Sequence, residues 1–444
     1  MAMTLEVLQQ IMRENGIVGA GGAGFPTYAK LDKRADTIIL NCAECEPLLK
    51  LHRQVLSNYA YEIMSTLNLI ADLVKASSVI IAIKPSYTEA VEAIEYNLDS
   101  FKKIKIGFLP EIYPAGDEVV TIYETTKRVV APGKLPISVG VTVFNVETIY
   151  NVYRALNEKM PVTFKYVTVA GEVKTPKTLK VPIGTSFKEL LELAGGATDK
   201  DFCLINGGPM TGTLAAVTDT VTKTTNGILV MPKNHYIINK RKSTISVDMK
   251  RAMAACCQCR MCTDLCSRNL LGHPIEPHLF MRAATSGDTK VLAPFINTMF
   301  CSSCGICEMY ACMQGLSPRT LITRYKEDLK KNGIKIPDDI EFKEVAKNRE
   351  FRKVSMSRLV SRLGLKKYDV PAPLDDKLVK TDKVKIMLNQ HIGAPCKAVV
   401  KKGDKVSLGQ VIGKTDDKSL GVQIHSSIDG IVLEANDKFV MVRR

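Results

Sequence analysis

The sequence lacks any apolar run close to the roughly 20 residues that a membrane-spanning helix requires, so we expect no transmembrane segment. It also lacks the pattern of a secretory signal, because residues 1–15 read as an amphipathic helix that contains acidic side chains. Its 13 cysteines are odd in number and mostly clustered, which is typical of thiols that bind metal in a reducing compartment. We therefore expect a cytoplasmic protein.

Nucleic-acid-binding motifs are also missing, although the formal net charge is +15. No aromatic RNA-binding motif, zinc finger or helix-turn-helix pattern accompanies this charge. Residues 319–368 contain 15 lysines and arginines against 7 acidic residues, so about half of the excess lies in one segment. We predict that this segment is a solvated basic linker, with docking of an acidic redox partner as an additional use, and we expect no nucleic-acid partner.

Eight of the cysteines form two runs whose spacing is typical of ligands to two 4Fe–4S clusters. The first run contains Cys256, Cys259, Cys262 and Cys266, and the second contains Cys301, Cys304, Cys307 and Cys312. The three closely spaced cysteines of each run can bind three of the four irons of one cluster, and the fourth thiolate comes from further away. In two-cluster ferredoxins this last cysteine serves the opposite cluster, which here groups Cys312 with the first run and Cys266 with the second. Two zinc ribbons are the alternative, but zinc favours two pairs of cysteines over a triplet.

The amino-terminal part alternates between strand-like and helix-like stretches, which predicts a mainly parallel sheet covered by helices. The predicted strands are 37–40, 79–83, 104–108 and 141–144, and the predicted helices are 53–75, 87–99, 117–127 and 146–158. Such sheets bind nucleotides beyond the carboxyl ends of their strands. A glycine-rich loop, residues 19–27, follows the first helix, and its nearly bare backbone can approach a flat ring or a phosphate closely. Lys30 can add the charge that a phosphate needs.

This loop resembles the GxGGAGFPTxxK signature of the NADH- and FMN-binding subunit of respiratory complex I. Three further segments of that family follow in the same order, at 41–47, 116–118 and 145–148. The resemblance implies FMN as a cofactor, contacted by Gly19, Gly21, Gly22, Gly24, Lys30, Asn41, Glu44, Gly116, Asp117, Glu118, Asn145 and Thr148, the last two at its phosphate. It also implies that Phe25 stacks on the nicotinamide of NADH and that Glu46 touches the nucleotide.

The whole chain resembles two families more closely, the RnfC component of the Rnf complex and the cobalamin reductase of propanediol-utilisation microcompartments. Both combine a flavin domain, a β-grasp (SLBB) domain, a helical two-cluster ferredoxin domain and an all-β barrel-sandwich hybrid with a QHIGAP-like stretch, here at 390–395. The Rnf protein carries the sandwich at its amino end, whereas here it closes the chain, as in the cobalamin reductase. The implied multidomain α/β fold divides into an FMN/NADH-binding domain at 1–162, the β-grasp domain at 163–235, the cluster domain at 248–331, a basic connector at 332–375 and the sandwich at 376–444.

This resemblance implies an oxidoreductase that passes electrons from NADH through FMN and the two clusters to a corrinoid. No DxHxxG cobalamin-binding motif is present, so we expect the corrinoid to be met transiently or through a partner such as an adenosyltransferase. The expected location is within or attached to a bacterial microcompartment, with a shell protein as a further partner. Ala20 and Lys33 replace an arginine and an aromatic residue of complex I. The alternative is therefore a non-catalytic wiring subunit of an Rnf-like complex, which passes electrons between protein partners.

Overall fold

The computed structural model describes residues 3–337 and 340–444, and its first unit is a parallel sheet covered by helices. Helix α1 (Leu5–Glu14) begins after Thr4, whose hydroxyl accepts a hydrogen bond from the Val7 N–H. The unit continues with β1 (Thr37–Cys42), α2 (Leu51–Asn58), α3 (Ala60–Val74), β2 (Ser78–Ile83), α4 (Thr88–Leu98), β3 (Ile104–Phe108), β4 (Ile112–Tyr113), α5 (Glu118–Thr126), β5 (Val141–Asn145) and α6 (Val146–Tyr153).

The strand order β3-β2-β1-β5 places β2 on one side of β1 and β5 on the other. Both faces of the sheet are buried, because Ile38 and Leu40 lie in one apolar cluster and Ile39 lies in another. In open parallel sheets, ligands bind at the carboxyl ends of the strands where the strand order reverses. Here that crevice lies between the ends of β1 and β5.

The single helix predicted over residues 53–75 is wrong, because the chain forms α2 and α3 with a break at Tyr59. Tyr59 has a non-helical backbone (φ −130°, ψ 35°). Its ring stacks on Tyr150 with 4.1 Å between the centroids, and its hydroxyl donates to Asp376. Because apolar residues continue on both sides of the break, hydrophobic periodicity gives no sign of it.

The second unit is a mixed sheet with two short helices. Its elements are β6 (Phe164–Gly171), β7 (Lys177–Pro182), α7 (Phe187–Leu193), β8 (Phe202–Asn206), β9 (Thr213–Ala215), β10 (Gly227–Pro232) and α8 (Tyr236–Lys242). Strand β6 pairs with β7 in antiparallel orientation and with β10 in parallel orientation. Helix α7 begins after Ser186, whose hydroxyl accepts a hydrogen bond from the Glu189 N–H.

The segment that carries the two cysteine runs is helical. It contains α9 (Ile245–Ala255), α10 (Met261–Asp264), α11 (Ser267–Leu270), α12 (Pro277–Ser286), α13 (Ala293–Ile296) and α14 (Pro318–Lys331). The helix predicted at 277–286 is confirmed as α12. The helix predicted at 291–300 is shorter and continues as a 3₁₀ turn, since Pro294 lacks the N–H that an earlier start would need.

From Arg349 onward the basic segment packs against the first two units, so the prediction of a solvated linker is wrong for that part, whereas residues 341–344 are exposed to solvent. Arg349 pairs with Glu124 at 2.6 Å, and both side chains are nearly inaccessible to solvent. Strand β11 (Val354–Ser355) pairs with β4, helix α15 (Met356–Arg362) follows it, and β12 (Leu374–Leu378) pairs with β7. The second sheet thereby reaches the order β12-β7-β6-β10-β8-β9.

The carboxyl-terminal unit consists of two small antiparallel sheets. Its strands are β13 (Lys383–Met387), β14 (Lys397–Ala398), β15 (Lys405–Val406), β16 (Val411–Lys414), β17 (Ile424–His425), β18 (Gly430–Ala435) and β19 (Phe439–Arg443). The sheets have the orders β13-β19-β18-β15 and β14-β16-β17, with Ile386, Ile412 and Val440 buried between them. Within residues 3–337 and 340–444, every helix lacks either the length or the hydropathy of a membrane span.

Candidate flavin and iron–sulfur centres

The glycine-rich loop folds back on itself beside the crevice between β1 and β5. Val18 forms a β-bridge with Pro26, and the Gly19 N–H donates to the Phe25 carbonyl at 2.9 Å. Among described residues, the N–H groups of positions 21 to 24 find no acceptor. Consecutive free N–H groups on an exposed loop are suited to bind a phosphate or a ring edge. Phe25 itself is half-buried.

Two asparagines predicted to contact FMN are neighbours across the sheet, since Asn41 and Asn145 are register partners on β1 and β5. The loop approaches them so closely that a Cβ atom on Gly21 would lie 2.4 Å from the Asn145 Nδ2. Only glycine allows this approach. A Cβ on Gly22 would meet open space, so that position has no such requirement.

Helix α6 points its amino terminus at this crevice. The Asn145 side chain caps the helix by accepting hydrogen bonds from the N–H groups of Glu147 and Thr148. The Thr148 hydroxyl accepts from the Ala20 N–H at 2.9 Å and so ties the glycine loop to the helix. The positive end of the helix dipole, with the free loop amides beside it, favours an anionic ligand, which is what an FMN phosphate would supply.

The third predicted segment, residues 116–118, closes the crevice from the other side. The Asn41 amide donates to the Gly116 carbonyl at 3.0 Å. Lys30 pairs with Glu118 at 3.2 Å and donates to the Val143 carbonyl at 3.0 Å. These contacts bring all four predicted segments together around the ends of β1 and β5.

Two predicted acidic residues are occupied by protein partners. The Glu44 carboxylate is nearly inaccessible to solvent; it accepts a hydrogen bond from the His52 N–H at 2.9 Å and pairs with Arg53 at 3.2 Å. The Glu46 carboxylate accepts hydrogen bonds from the N–H groups of Met210 and Thr211, both at 2.9 Å, and so holds a turn of the second unit. The nucleotide contact assigned to Glu46 stays a prediction.

His52 is a member of this site that sequence reasoning missed. It is buried, and its Nε2 lies 3.1 Å from the Asn145 Nδ2. Burial lowers the pKa of His52 to about 3, with a smaller contribution from Lys165, so the ring is neutral at physiological pH. No motif surrounds it in the sequence, and only its position at the start of α2 brings it to the crevice.

The two cysteine runs wrap their sites with the same backbone conformation. Gln258 and Arg260 in the first run have positive φ angles of 55° and 66°, and Ser303 and Gly305 have 58° and 81° at the equivalent positions of the second run. Positive φ is unfavourable for residues with a Cβ atom and tends to be retained at functional sites. The shared conformation turns N–H groups toward sulfur, as in the Ser303 N–H to Cys301 Sγ contact of 3.3 Å.

The fold brings the cysteines together in the crossed grouping. A cavity lined by residues between 256 and 318 has Cys256, Cys259, Cys262 and Cys312 in its wall, together with Cys257, the spare thiol beside Cys256. Burial raises the pKa of Cys266 to about 12, and the nearby Cys301 thiol contributes to this rise. Burial also raises the pKa of Cys304 to about 12, and here the nearby Cys266 thiol adds to the rise. Burial likewise raises the pKa of Cys262 to about 12, with Cys312 as the next contributor.

These thiols fit clusters better than zinc. Within residues 3–337 and 340–444, no three His, Cys, Asp or Glu side chains converge as they would around a single ion. Zinc would hold its sulfurs about 2.3 Å from one centre, whereas a four-iron cube is larger and separates its ligands. Buried thiols with raised pKa values ionise when a cationic centre binds them, so this donor set suits an iron–sulfur cluster. Ligation by each cysteine stays a prediction.

The flavin crevice and the second cysteine group are in contact. Arg268, two residues after Cys266, pairs with Asp117 at 2.9 Å, and both side chains are largely buried. Asp117 also caps α5 by accepting from two N–H groups of that helix. The hydroxyl of Tyr113, just before the 116–118 segment, donates to the Cys304 carbonyl.

The carboxyl-terminal unit forms part of the glycine loop's surroundings. The Ile392 N–H donates to the Gly24 carbonyl at 3.1 Å, and Gly24 has a φ of 73°. Lys223 of the second unit is buried and donates to the carbonyls of Gly16 at 2.6 Å and Gln423 at 3.0 Å, which joins three units. Burial lowers the pKa of Lys223 to about 7. Sequence reasoning did not identify Lys223.

Known protein families match this chain in four segments, one for each of its structural units. Residues 12–154 match the Nuo51 FMN-binding domain, residues 166–214 the SLBB domain, residues 255–317 the 4Fe-4S dicluster domain and residues 369–443 the RnfC barrel sandwich hybrid domain. Fold and sites thus define a flavin and iron–sulfur electron-transfer oxidoreductase, with FMN and two 4Fe–4S clusters as its cofactors. The predicted multidomain fold and these cofactors are confirmed.

Full-length relatives narrow the class. The cobalamin reductase PduS of Citrobacter freundii is 41% identical over 99% of this chain and 97% of its own length, and that of Salmonella typhimurium is 40% identical over 100% and 98%. A component of the Na(+)-translocating ferredoxin:NAD(+) oxidoreductase complex of Acetobacterium woodii, the RnfC counterpart, is 31% identical over 60% of this chain and 59% of its own length. The chain belongs to the PduS cobalamin reductase family.

Proposed function

We propose that this oxidoreductase takes electrons from NADH and delivers them to a corrinoid. When bound, FMN accepts the electron pair of a hydride and releases electrons singly, which is how four-iron clusters carry them. The observation that carries the proposal is the contact between the flavin crevice and the second cysteine group through Arg268–Asp117 and Tyr113–Cys304. The names of the full-length relatives support a corrinoid acceptor.

The position of each residue in the fold indicates its role in this function. The free N–H groups of positions 21 to 24 and the capped start of α6 would bind the flavin phosphate, with Lys30 as the nearby cation. Asn41 and Asn145 would orient the ring system from the strand ends. Phe25 would stack on the nicotinamide. The eight cysteines of the two runs would hold the clusters, and solvent supplies the only protons needed.

Reduction of hydroxocobalamin by NADH tests this function. The anaerobically purified chain, loaded with FMN and iron, should reduce hydroxocobalamin with NADH as the donor. Cys304→Ser should abolish this activity, because the second cysteine group lies against the flavin crevice. Cys203→Ser, which changes a cysteine outside both runs, is the matched control and should retain it. Equal activity in both variants would contradict the proposal.

A wiring subunit without nicotinamide chemistry is the second candidate. Two observations favour it: Glu46 is fully engaged by the turn at Met210 and Thr211, and Ala20 replaces the arginine of complex I. An FMN-loaded chain that fails to oxidise NADH with ferricyanide, yet exchanges electrons with a redox protein, would establish this candidate.

We also propose that the chain works within or attached to a bacterial microcompartment, where an adenosyltransferase and a shell protein are its partners. The full-length relatives support this location through the resemblance described above. Co-purification of the tagged chain with intact compartments, compared with a tag-only control, tests it. Recovery only in the fraction that lacks compartments would contradict it.

A further inference from the structure

Exposed side chains cover helix α9 and the first cysteine loop, and we refer to residues 242–260 together with Met313 as the α9 face. Val247, Met253 and Met313 are 48%, 63% and 76% exposed. Cys257 and Cys259 are exposed beside them. A concentration of exposed apolar side chains marks an interaction site, and methionine adapts its shape to a partner more easily than branched side chains do.

The charges on the α9 face have one sign. Lys242, Lys250 and Arg251 are exposed, and none of them forms an ion pair with another described residue. Asp248 is the only carboxylate between positions 242 and 260, and it is buried, where it accepts from the Ser243 hydroxyl at 2.7 Å. Arg260 pairs at 3.3 Å with the partly exposed Asp264, just beyond the face, so Lys242, Lys250 and Arg251 are the cations that the described part of the face leaves unpaired.

The α9 face adjoins the more exposed of the two cysteine groups, since Cys259 is exposed. The cavity of the first group is lined by residues 256–318 alone, so no other unit encloses it. The second group is packed against Tyr113 and the Arg268–Asp117 pair, and a Cβ on Gly305 would lie 3.3 Å from the Met210 carbonyl, although a cavity reaches Cys301. A partner can therefore approach the first group from the α9 face.

We propose that the α9 face is the docking surface for an acidic redox protein that accepts electrons from this chain, and the direction of transfer rests on the proposed function. Helix α9 has 11 residues and is about 16 Å long, which together with the adjoining loop suits a protein interface better than a small corrinoid. The unpaired cations attract an acidic partner over distance, and the methionines supply apolar contact at the centre.

Binding of a plant-type ferredoxin, a small acidic redox protein, tests the proposal. Calorimetry on the FMN- and cluster-loaded chain at low and high salt, without NADH, measures the affinity. Lys250→Glu/Arg251→Glu reverses two charges on the α9 face. Lys102→Glu/Lys105→Glu reverses two exposed lysines of the first unit and is the matched control with the same formal charge. Iron and FMN contents verify that both variants fold.

We expect the wild-type affinity to fall with salt, and the α9-face variant to lose about tenfold or more while the control loses less than about twofold. Equal losses, no loss, or no wild-type binding at low salt would overturn the proposal. Slower reduction of free hydroxocobalamin by the α9-face variant with unchanged ferredoxin binding would assign the face to a small corrinoid instead. Because binding is measured without a donor, a chain that binds ferredoxin but does not oxidise NADH contradicts only the proposed function.

Discussion

Breaking the buried Glu147–Lys165 ion pair should destabilise the chain in a way that depends on pH. Glu147 lies in the first turn of α6 and Lys165 on β6, and both side chains are at most 1% exposed. The carboxylate also accepts from the Tyr166 N–H at 3.2 Å, and the ammonium donates to the Asn226 Oδ1 at 2.8 Å. Burial raises the pKa of Glu147 and lowers the pKa of Lys165, so desolvation outweighs their attraction.

Replacing either member of the pair leaves the other as a lone buried charge. The remaining group then becomes neutral by exchanging a proton with solvent. In Lys165→Met the carboxyl group takes up a proton, which costs up to about 4 kcal/mol at pH 7 and about 1 kcal/mol at pH 5. Its folded-state pKa lies above the unfolded value, so the penalty is absent at low pH and grows as the pH rises. In Glu147→Gln the ammonium loses a proton, which costs up to about 5 kcal/mol at pH 7 and about 2 kcal/mol at pH 9.

Urea unfolding of the full chain, followed by circular dichroism at about pH 5, 7 and 9, measures these changes. The double variant Glu147→Gln/Lys165→Met should recover most of the loss, because no lone charge remains. Lys188→Met, which removes one member of the exposed Lys188–Glu192 pair, is the control and should change the unfolding free energy by less than about 0.5 kcal/mol. A Lys165→Met penalty that stays constant with pH would refute the reasoning.

Three further predictions concern the cofactor sites. Gly21→Ala should weaken FMN binding by about tenfold or more, and Gly22→Ala by less, in a fluorescence titration, because only the first Cβ collides with Asn145; equal losses would contradict this. Cys256→Ser should reduce the iron content to about four per chain while Cys257→Ser keeps about eight, and the reverse order would show that the ligand is Cys257. Arg268→Met leaves Asp117 unpaired and should lower the unfolding free energy by about 2–4 kcal/mol. Urea unfolding that shows almost no change in this free energy would contradict the prediction.

Local patterns in the sequence predicted most of the fold that positions the sites. Alternating strand and helix signals gave the parallel sheet, and the spacing of Cys256 to Cys312 gave the dicluster segment, because ligand spacing and hydrophobic periodicity are local properties. The four flavin segments were predicted together because they resemble, in the same order, four short motifs of the complex I subunit. Their meeting at the ends of β1 and β5 follows from the order of the strands.

Contacts between residues distant in the sequence could not be predicted. Arg268 and Asp117 are 151 positions apart, and nothing in the local pattern of either indicates a partner. The basic segment looked solvated from its charge, yet Arg349 is buried by its pairing with Glu124, 225 positions away. Such pairs depend on how whole units dock, which periodicity does not encode.

The most direct test of the account is an anaerobic NADH titration of the purified chain, after its iron and FMN have been quantified. The account predicts about eight irons and about one FMN per chain, and bleaching of both the flavin and the cluster absorption by NADH alone. About four irons or fewer, or bleaching of the flavin without the clusters, would contradict the claim that the flavin crevice and the cysteine groups form one electron-transfer unit.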